Sequence, residues 1–227
     1  VRRRVANGGV PCHGLDLADG HPVRPPRQRL LDPLGLTASW YQAAEPPRAP
    51  GTTAYRMLRV KGAWQWRVAA PASDIMPFRS VVTAAGGAGS IAATALDAAR
   101  WMRAYATGGV VSQAMLALMI ADVSVTAADG ATIPYGLGVQ AVLVGGRPAL
   151  GHSGRFLGFR NVARYLTDSG ITIAVLTNQG VVDPRRIEES LMDIVLPPPT
   201  PTPTPTPSPS GSPGATGSPS SSGSSGA

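Results

Sequence analysis

The chain has 227 residues, of which 43% are hydrophobic and 15% charged, a composition sufficient for a folded domain with a substantial core. Its formal net charge is +7, but the arginines are scattered rather than clustered among aromatic side chains, so we predict no nucleic-acid binding. Cys12 is the only cysteine and no apolar run reaches about 18 residues, which excludes an internal disulfide and predicts no transmembrane helix.

Composition divides the chain into three predicted regions. Residues 1–28 mix glycine, proline and charged side chains without periodicity, which predicts an irregular lead-in. Residues 29–196 contain the periodic apolar patterns of helices and strands and are expected to fold. Residues 197–227 are almost entirely proline, threonine, serine and glycine, which predicts a disordered tail that acts as a spacer.

The first half of residues 29–196 is weakly patterned. Arg29–Thr37 predicts the end of a helix that proline and glycine stop. Residues 41–80 predict a long excursion with at most short strands, at 55–60 and 65–68. Three tryptophans are predicted to be packing residues: Trp64, Trp66 and Trp101.

Helix and strand signals strengthen after residue 93. Thr94 is a predicted helix cap because Asp97 follows three positions later, and the helix is expected to end at Gly108. Ser112 caps a second predicted helix over residues 113–120. Four strands and a last helix are then predicted at 138–144, 148–152, 159–165, 171–177 and 184–196. We therefore expect an α+β fold, in which helices cover an antiparallel meander.

The last predicted helix is amphipathic. One apolar face is expected to cover the sheet, and its members are Ile187, Leu191, Ile194 and Val195. Proline at position 184 suits the first turn of a helix, because its missing N–H is not needed there.

Four short segments occur in order along residues 29–196: LLDPLGLT at 30–37, AAGG with the helix ATALDAARWM at 84–102, YGLG at 135–138 and HSG at 152–154. In this order they resemble the C-terminal part of the serine β-lactamase-related and penicillin-binding-protein-like hydrolases, with HSG matching the H-x-G version of the third active-site motif. The resemblance implies a β-lactamase/DD-peptidase-like fold that is incomplete at its N-terminal side, with residues 29–196 forming a partial domain.

The resemblance also implies acyl-transfer chemistry, in which a serine attacks a carbonyl carbon and water later hydrolyses the acyl-enzyme. His152 would be the catalytic group that polarises or shuttles a proton, and Ser153 would hold the substrate's carboxylate. Gly154 would leave room for the substrate, and the backbone N–H of Arg155 would be one oxyanion donor. No metal or cofactor is implied. The expected partner is a β-lactam, a D-Ala-D-Ala-type or peptidoglycan-like peptide, or a small ester.

Two motifs of the resembled family are absent from the chain. The S-x-x-K motif would supply the nucleophile, but Lys61 is the only lysine and Leu58 stands three residues before it. The Y-x-N or Y-x-S motif is missing too, because no tyrosine has asparagine or serine two residues later. The sequence therefore predicts no nucleophile and an inactive chain. The alternative is a non-catalytic cell-envelope binding protein derived from the penicillin-binding fold.

Location is implied by the resemblance and the tail rather than by a targeting signal. Proteins of the resembled family are commonly exported, and the Pro/Thr/Ser tail suits an envelope spacer, which predicts an extracytoplasmic site. Residues 1–28 do not resemble a signal peptide, because no apolar stretch follows the arginines at their start. No oligomeric state is predicted.

Several singled-out residues have a plain structural interpretation. Tyr135 is predicted to pack in the core rather than flank the site. Arg155 and Arg160 are as consistent with a solvated strand edge as with an anionic substrate. Asp97 is expected to favour the helix dipole only. Gly87–Ala92 fits a dinucleotide fingerprint, but a glycine-rich approach to the following helix explains it better.

Overall fold

The computed structural model describes residues 27–121, 124–126 and 132–196. The predicted tail and all but the last two residues of the predicted lead-in lie outside the described residues. A helical turn at Arg27–Leu31 precedes the other elements. The strands are β1 Trp40–Tyr41, β2 Ala54–Val60, β3 Ala63–Ala70, β4 Ile91–Ala92, β5 Ser124–Thr126, β6 Thr132–Pro134, β7 Gln140–Val144, β8 Arg147–Phe156, β9 Phe159–Leu166 and β10 Thr172–Thr177. The α-helices are α1 Arg79–Ala85, α2 Ala95–Ala106, α3 Gln113–Ile120 and α4 Pro184–Val195.

A four-stranded antiparallel sheet in the order β10-β9-β8-β7 lies at the centre of the fold. Gly145 and Gly146, at φ 55° and 79°, make the tight turn between β7 and β8. β8 runs four residues beyond its predicted end, because β9 pairs with it as far as Phe156. The pairing of β8 with β7 ends at Gly151, which lies opposite Gln140, the first residue of β7. Among the described residues, the second half of β8 therefore has β9 as its only strand partner.

Side chains of the central sheet alternate between two apolar cores, one on each face. On one face Ala149 lies in a cluster with Met192 of α4. On the other face Leu150 lies in a cluster with Met102 of α2 and Leu116 of α3. Helices therefore cover both faces of the sheet, and the predicted α+β fold class is confirmed.

β2 and β3 form a separate two-stranded hairpin that is longer than the short strands predicted there. Trp64 is 67% exposed and Trp66 is 43% exposed, so the prediction that they are packing residues is wrong for both. The reason is that one face of this ribbon is left open to solvent. Trp101, on α2, is half-buried. Helix α1 was not predicted from the sequence.

Asp97 does more than favour the dipole of α2. Thr94 caps the helix as predicted, since its side chain accepts the N–H of Asp97. The Asp97 carboxylate is itself buried, and one of its oxygens accepts both the backbone N–H of Ala38 and the hydroxyl of Ser39 at 2.9 Å. Through these two hydrogen bonds the carboxylate connects the segment before β1 to the start of α2.

Helix α4 turns a different face to the sheet from the one predicted. The Ile/Leu row is exposed at 39–79%, whereas Pro184, Glu188 and Met192 are buried. Glu188 faces Arg164 of β9 across 3.7 Å, and both side chains are almost fully buried. The Arg164 guanidinium also donates to the side-chain oxygen of Gln140 at 2.9 Å. The Glu188–Arg164 pair is therefore a buried polar contact beside the apolar contact of Met192 with the sheet.

Burial raises the pKa of Glu188 to about 7, although Arg164 opposes the shift. The folded chain therefore binds a proton that the unfolded chain releases, so this group stabilises the fold most at low pH, and that stability is lost as pH rises through about 7. We expect Glu188→Gln to remove this part of the decline in unfolding free energy between about pH 5 and about pH 8, measured by urea titration. Glu189→Gln, at the exposed neighbouring position, should retain the decline; equal profiles for both variants would contradict the assignment.

Candidate active site

His152 lies on β8 one residue beyond the end of its pairing with β7. Its side chain is exposed, and by strand alternation it points to the same face of the sheet as Leu150, the face covered by α2 and α3. One edge of the segment His152–Phe156 has no strand partner among the described residues. Such an edge presents alternate backbone N–H and C=O groups to an incoming molecule.

The His152 ring is held between two oxygen atoms. Its Nδ1 lies 2.5 Å from the carbonyl oxygen of Ser153, and its Nε2 lies 2.6 Å from the hydroxyl of Tyr135. Because a carbonyl can only accept, Nδ1 carries the proton, and a neutral ring then accepts the Tyr135 hydroxyl at Nε2. The two rings meet edge to face, with centroids 5.3 Å apart. The imidazole is therefore oriented before any substrate arrives.

Tyr135 is held in place by the two residues after it. The N–H of Leu137 donates to the carbonyl of Met119, at the end of α3. A Cβ on Gly136 would lie 1.9 Å from that same carbonyl oxygen, so only glycine allows this close approach. The prediction that Tyr135 packs in the core is wrong: its hydroxyl reaches the site instead.

The other predicted site residues do not all share the face of His152. Ser153 and Arg155 alternate to the opposite face, where Ser153 is half-buried and Arg155 exposed. Gly154 shares the face of His152, and a Cβ on it would lie 2.8 Å from the side-chain nitrogen of Asn161. The space beside Gly154 is thus bordered by Asn161, its cross-strand partner.

An open pocket of about 420 Å³ lies on the same face, along β8 beyond Gly154. Phe156 forms part of its wall, and its ring occupies space that a side chain on Gly89 would need, since a Cβ there would come within 2.3 Å of the ring. The glycine-rich segment before α2 therefore serves close packing against β8. Other lining residues include Gln42, Pro77, Phe159, Asn161, Leu176 and Asn178.

Arg160 forms an ion pair with Asp183. Its guanidinium lies 3.2 Å from the carboxylate of Asp183, which caps α4. The hydrogen bond from Arg185, together with the charge of Arg160, holds the pKa of Asp183 well below its usual range. Arg155, opposite Arg160 in the register, is exposed.

In residues 27–121, 124–126 and 132–196, no group of three or more histidine, cysteine, aspartate or glutamate side chains is placed to hold a metal ion. In the same part of the chain, no helix combines the length and apolar character needed to cross a membrane.

The residues missed by sequence reasoning are Tyr135 as the partner of His152, and Asn161 and Asn178 as pocket residues. Tyr135 stands in the YGLG segment, whose place in the motif order was a usable signal. The position of Asn161 beside Gly154 depends on the register of β8 and β9, which the sequence did not specify. Asn178 carried no local signal, because its role depends on a contact with Thr53, 125 residues away in sequence.

Comparison with known proteins decides the family. A family model described as Beta-lactamase matches residues 26–195, which is more than half of the chain. The chain belongs to the β-lactamase family. The HSG segment of β8 therefore lies in a β-lactamase-family fold, as the resemblance implied. A search of curated proteins found no match.

Solved structures share the β-lactamase-family fold. A D-stereospecific amidohydrolase from Streptomyces sp. is 23% identical with a TM-score of 0.55, over 76% of this chain and 48% of that protein. A D-amino acid amidase from Ochrobactrum anthropi SV3 is 20% identical with a TM-score of 0.53, over 73% and 47%. A penicillin-binding protein from Bacillus halodurans is 15% identical with a TM-score of 0.53, over 74% and 48%. The chain spans about half the length of each.

Proposed function

We propose that this chain supplies the C-terminal wall of an acyl-transfer active site in a hydrolase. The observation that carries the proposal is His152 of the H-x-G motif, oriented by Tyr135 at 2.6 Å on the free edge of β8. The pocket lies on the same face. Two structural neighbours are named for D-stereospecific amide substrates, which favours a D-amino acid amide or a D-Ala-D-Ala-type peptide, with a β-lactam or small ester as related acyl donors.

In this proposal His152 handles the proton. The Tyr135 hydroxyl would pass its proton to Nε2 and take one from the attacking hydroxyl group, while Nδ1–H donates to the Ser153 carbonyl and keeps the ring in place. The free edge of β8 would align the substrate, and the backbone N–H of Arg155 would be one oxyanion donor. The Ser153 side chain lies on the opposite face of the sheet, so this proposal gives it no contact with the substrate's carboxylate. Asn161, the cross-strand partner of Gly154, lines the pocket.

The nucleophile is proposed to come from polypeptide outside residues 1–227, because the chain has no S-x-x-K and no Y-x-N motif. The chain by itself is then a substrate-binding and proton-handling half-site. A β-lactam or amide would bind to it without being cleaved, since no group is present to form the acyl-enzyme.

A paired turnover and binding experiment tests the proposal. We expect no hydrolysis of nitrocefin or D-phenylalanine amide by the isolated chain. In NMR titrations an acyl-D-alanyl-D-alanine peptide should shift the imidazole signals of His152 in the wild type. The shift should be smaller in Tyr135→Phe. It should equal that of the wild type in Arg186→Ala, an exposed control on α4. Turnover that is lost in His152→Ala would show that the chain holds its own nucleophile. No shift of the imidazole signals at any peptide concentration would overturn the half-site.

The absence of both motifs from residues 1–227 favours a second candidate, a non-catalytic envelope protein that binds wall polymers. Pull-down on purified peptidoglycan distinguishes the two. Capture above a charge-matched control protein that persists in His152→Ala would support this candidate, and capture that needs His152 would support the half-site.

A further inference from the structure

The β2–β3 hairpin presents an apolar face that the proposed function does not use. Trp64, Trp66 and Val68 alternate along β3 on one face and are 43–67% exposed. Met57 and Tyr55 lie opposite Trp66 and Val68 on β2 and continue this face. We call these five side chains the tryptophan face.

The same hairpin is strongly basic. Residues 54–70 contain no aspartate or glutamate, and all four of their cationic side chains are exposed: Arg56, Arg59, Lys61 and Arg67. None of the four enters an ion pair in the described part of the chain. The hydrogen bonds of Arg59 and Arg67 are local, to Gly62 in the turn and to groups of β3. Their charge is therefore available to an anionic partner.

We propose that the hairpin is a docking surface for an anionic lipid membrane. Tryptophan prefers the boundary between hydrocarbon and water, because its ring is apolar and its N–H needs a polar partner. Basic side chains beside it are attracted to anionic headgroups, and their aliphatic stems lie against the apolar surface. The hairpin combines both features on one exposed ribbon, so it would lie in the interface without crossing the bilayer.

A carbohydrate partner fits this face less well. Sugar hydroxyls both donate and accept hydrogen bonds, and the hairpin has no acidic side chain to accept from them. Its single amide, Gln65, lies on the opposite face by strand alternation and accepts a hydrogen bond from Arg67. A lipid surface needs only apolar area and positive charge, both of which are present.

Vesicle binding by the full chain tests the proposal. Cosedimentation with phosphatidylcholine vesicles containing about 30% phosphatidylglycerol should exceed that with pure phosphatidylcholine and should weaken as salt rises. Arg59→Gln with Lys61→Gln should lower the partition coefficient ~30-fold, from about two basic contacts. Arg79→Gln with Arg186→Gln removes the same charge at exposed positions elsewhere and should change it little. Equal losses in both pairs would mean that net charge, not the hairpin, attracts the vesicles, and would overturn the proposal.

The tryptophans provide a second, independent readout. Brominated phosphatidylglycerol should quench the fluorescence of the wild type, and Trp64→Ala with Trp66→Ala should abolish both the quenching and most of the binding. The remaining tryptophans, Trp40 and Trp101, are buried and half-buried. Leu118→Ala with Ile194→Ala, exposed apolar residues outside the hairpin, should leave binding unchanged. If aqueous iodide fails to quench Trp64 and Trp66 in the absence of lipid, this face is covered and the proposal is overturned. If an anionic wall polymer captures the chain and vesicles do not, the partner is a different one and the proposal is also overturned.

Discussion

Replacing Arg164 with methionine is expected to lower the free energy of unfolding by about 3–5 kcal/mol at about pH 9, where the Glu188 carboxyl is ionised in the wild type. The substitution keeps most of the apolar volume but leaves the Glu188 carboxylate buried without its cation, 3.7 Å away in the wild type. Neither oxygen of Glu188 has a hydrogen-bond partner in the described part of the chain, so the ion pair is its only compensation there. Urea unfolding followed by circular dichroism measures the loss.

Two controls isolate the buried charge as the cause. Arg160→Met breaks the more exposed pair with Asp183 and should cost about 1 kcal/mol or less. Arg164→Met combined with Glu188→Met removes both charges and should recover most of the lost stability. The loss in Arg164→Met should also shrink at about pH 5, because the carboxyl can then take up a proton. A double variant as unstable as the single one would show that packing, not charge, sets the cost.

Replacing Asp97 with alanine is expected to destabilise the fold by about 3 kcal/mol. The change leaves two donors without their acceptor, the N–H of Ala38 and the hydroxyl of Ser39, and Ser39 is buried. Each buried group that loses its partner costs about 1–3 kcal/mol. Thermal and urea unfolding of Asp97→Ala and wild type provide the measurement.

Asp97→Asn is the discriminating control. It retains one side-chain oxygen to accept from Ala38 and Ser39, so its loss should be less than that of the alanine variant. Ser39→Ala combined with Asp97→Ala should be little worse than Asp97→Ala, because the hydroxyl is no longer left unsatisfied. If Asp97→Asn were as unstable as Asp97→Ala, the negative charge would matter more than these two bonds, for instance through Arg100, 3.5 Å away.

The regular part of the fold was predictable because its signals are local. Thr94 and Ser112 each accept a backbone N–H three residues on, as their spacing predicted, and Pro184 lies in the first turn of α4, as predicted. The Gly145-Gly146 turn fixes the β7–β8 hairpin in the same way. The bounds of β8 were less accurate, because its second half, His152–Phe156, contains one glycine and three polar residues and is a strand only by pairing with β9.

For the candidate site, the sequence predicted the position of one residue, His152, but not the side chains that contact it. His152 was identified by its HSG context, and the structure places it on a free strand edge. Its contact with Tyr135 was not predicted, because 17 residues separate them and the close approach of Gly136 to α3 brings them together. The exposure of Trp64 and Trp66 was missed for the opposite reason: large apolar side chains are expected to be buried, and only the arrangement of elements leaves this ribbon uncovered.

The sequence by itself determined the family, the helix caps, the antiparallel meander and the absence of the S-x-x-K and Y-x-N motifs, all of which depend on residues close together in the chain. Only the tertiary structure decided which surfaces are covered. It turned Glu188 rather than the Ile/Leu row of α4 toward the sheet, because β9 carries Arg164 opposite that helix. It also brought the Tyr135 hydroxyl to the imidazole of His152. Burial and pairing depend on which elements meet, and that information is spread over residues far apart in the sequence.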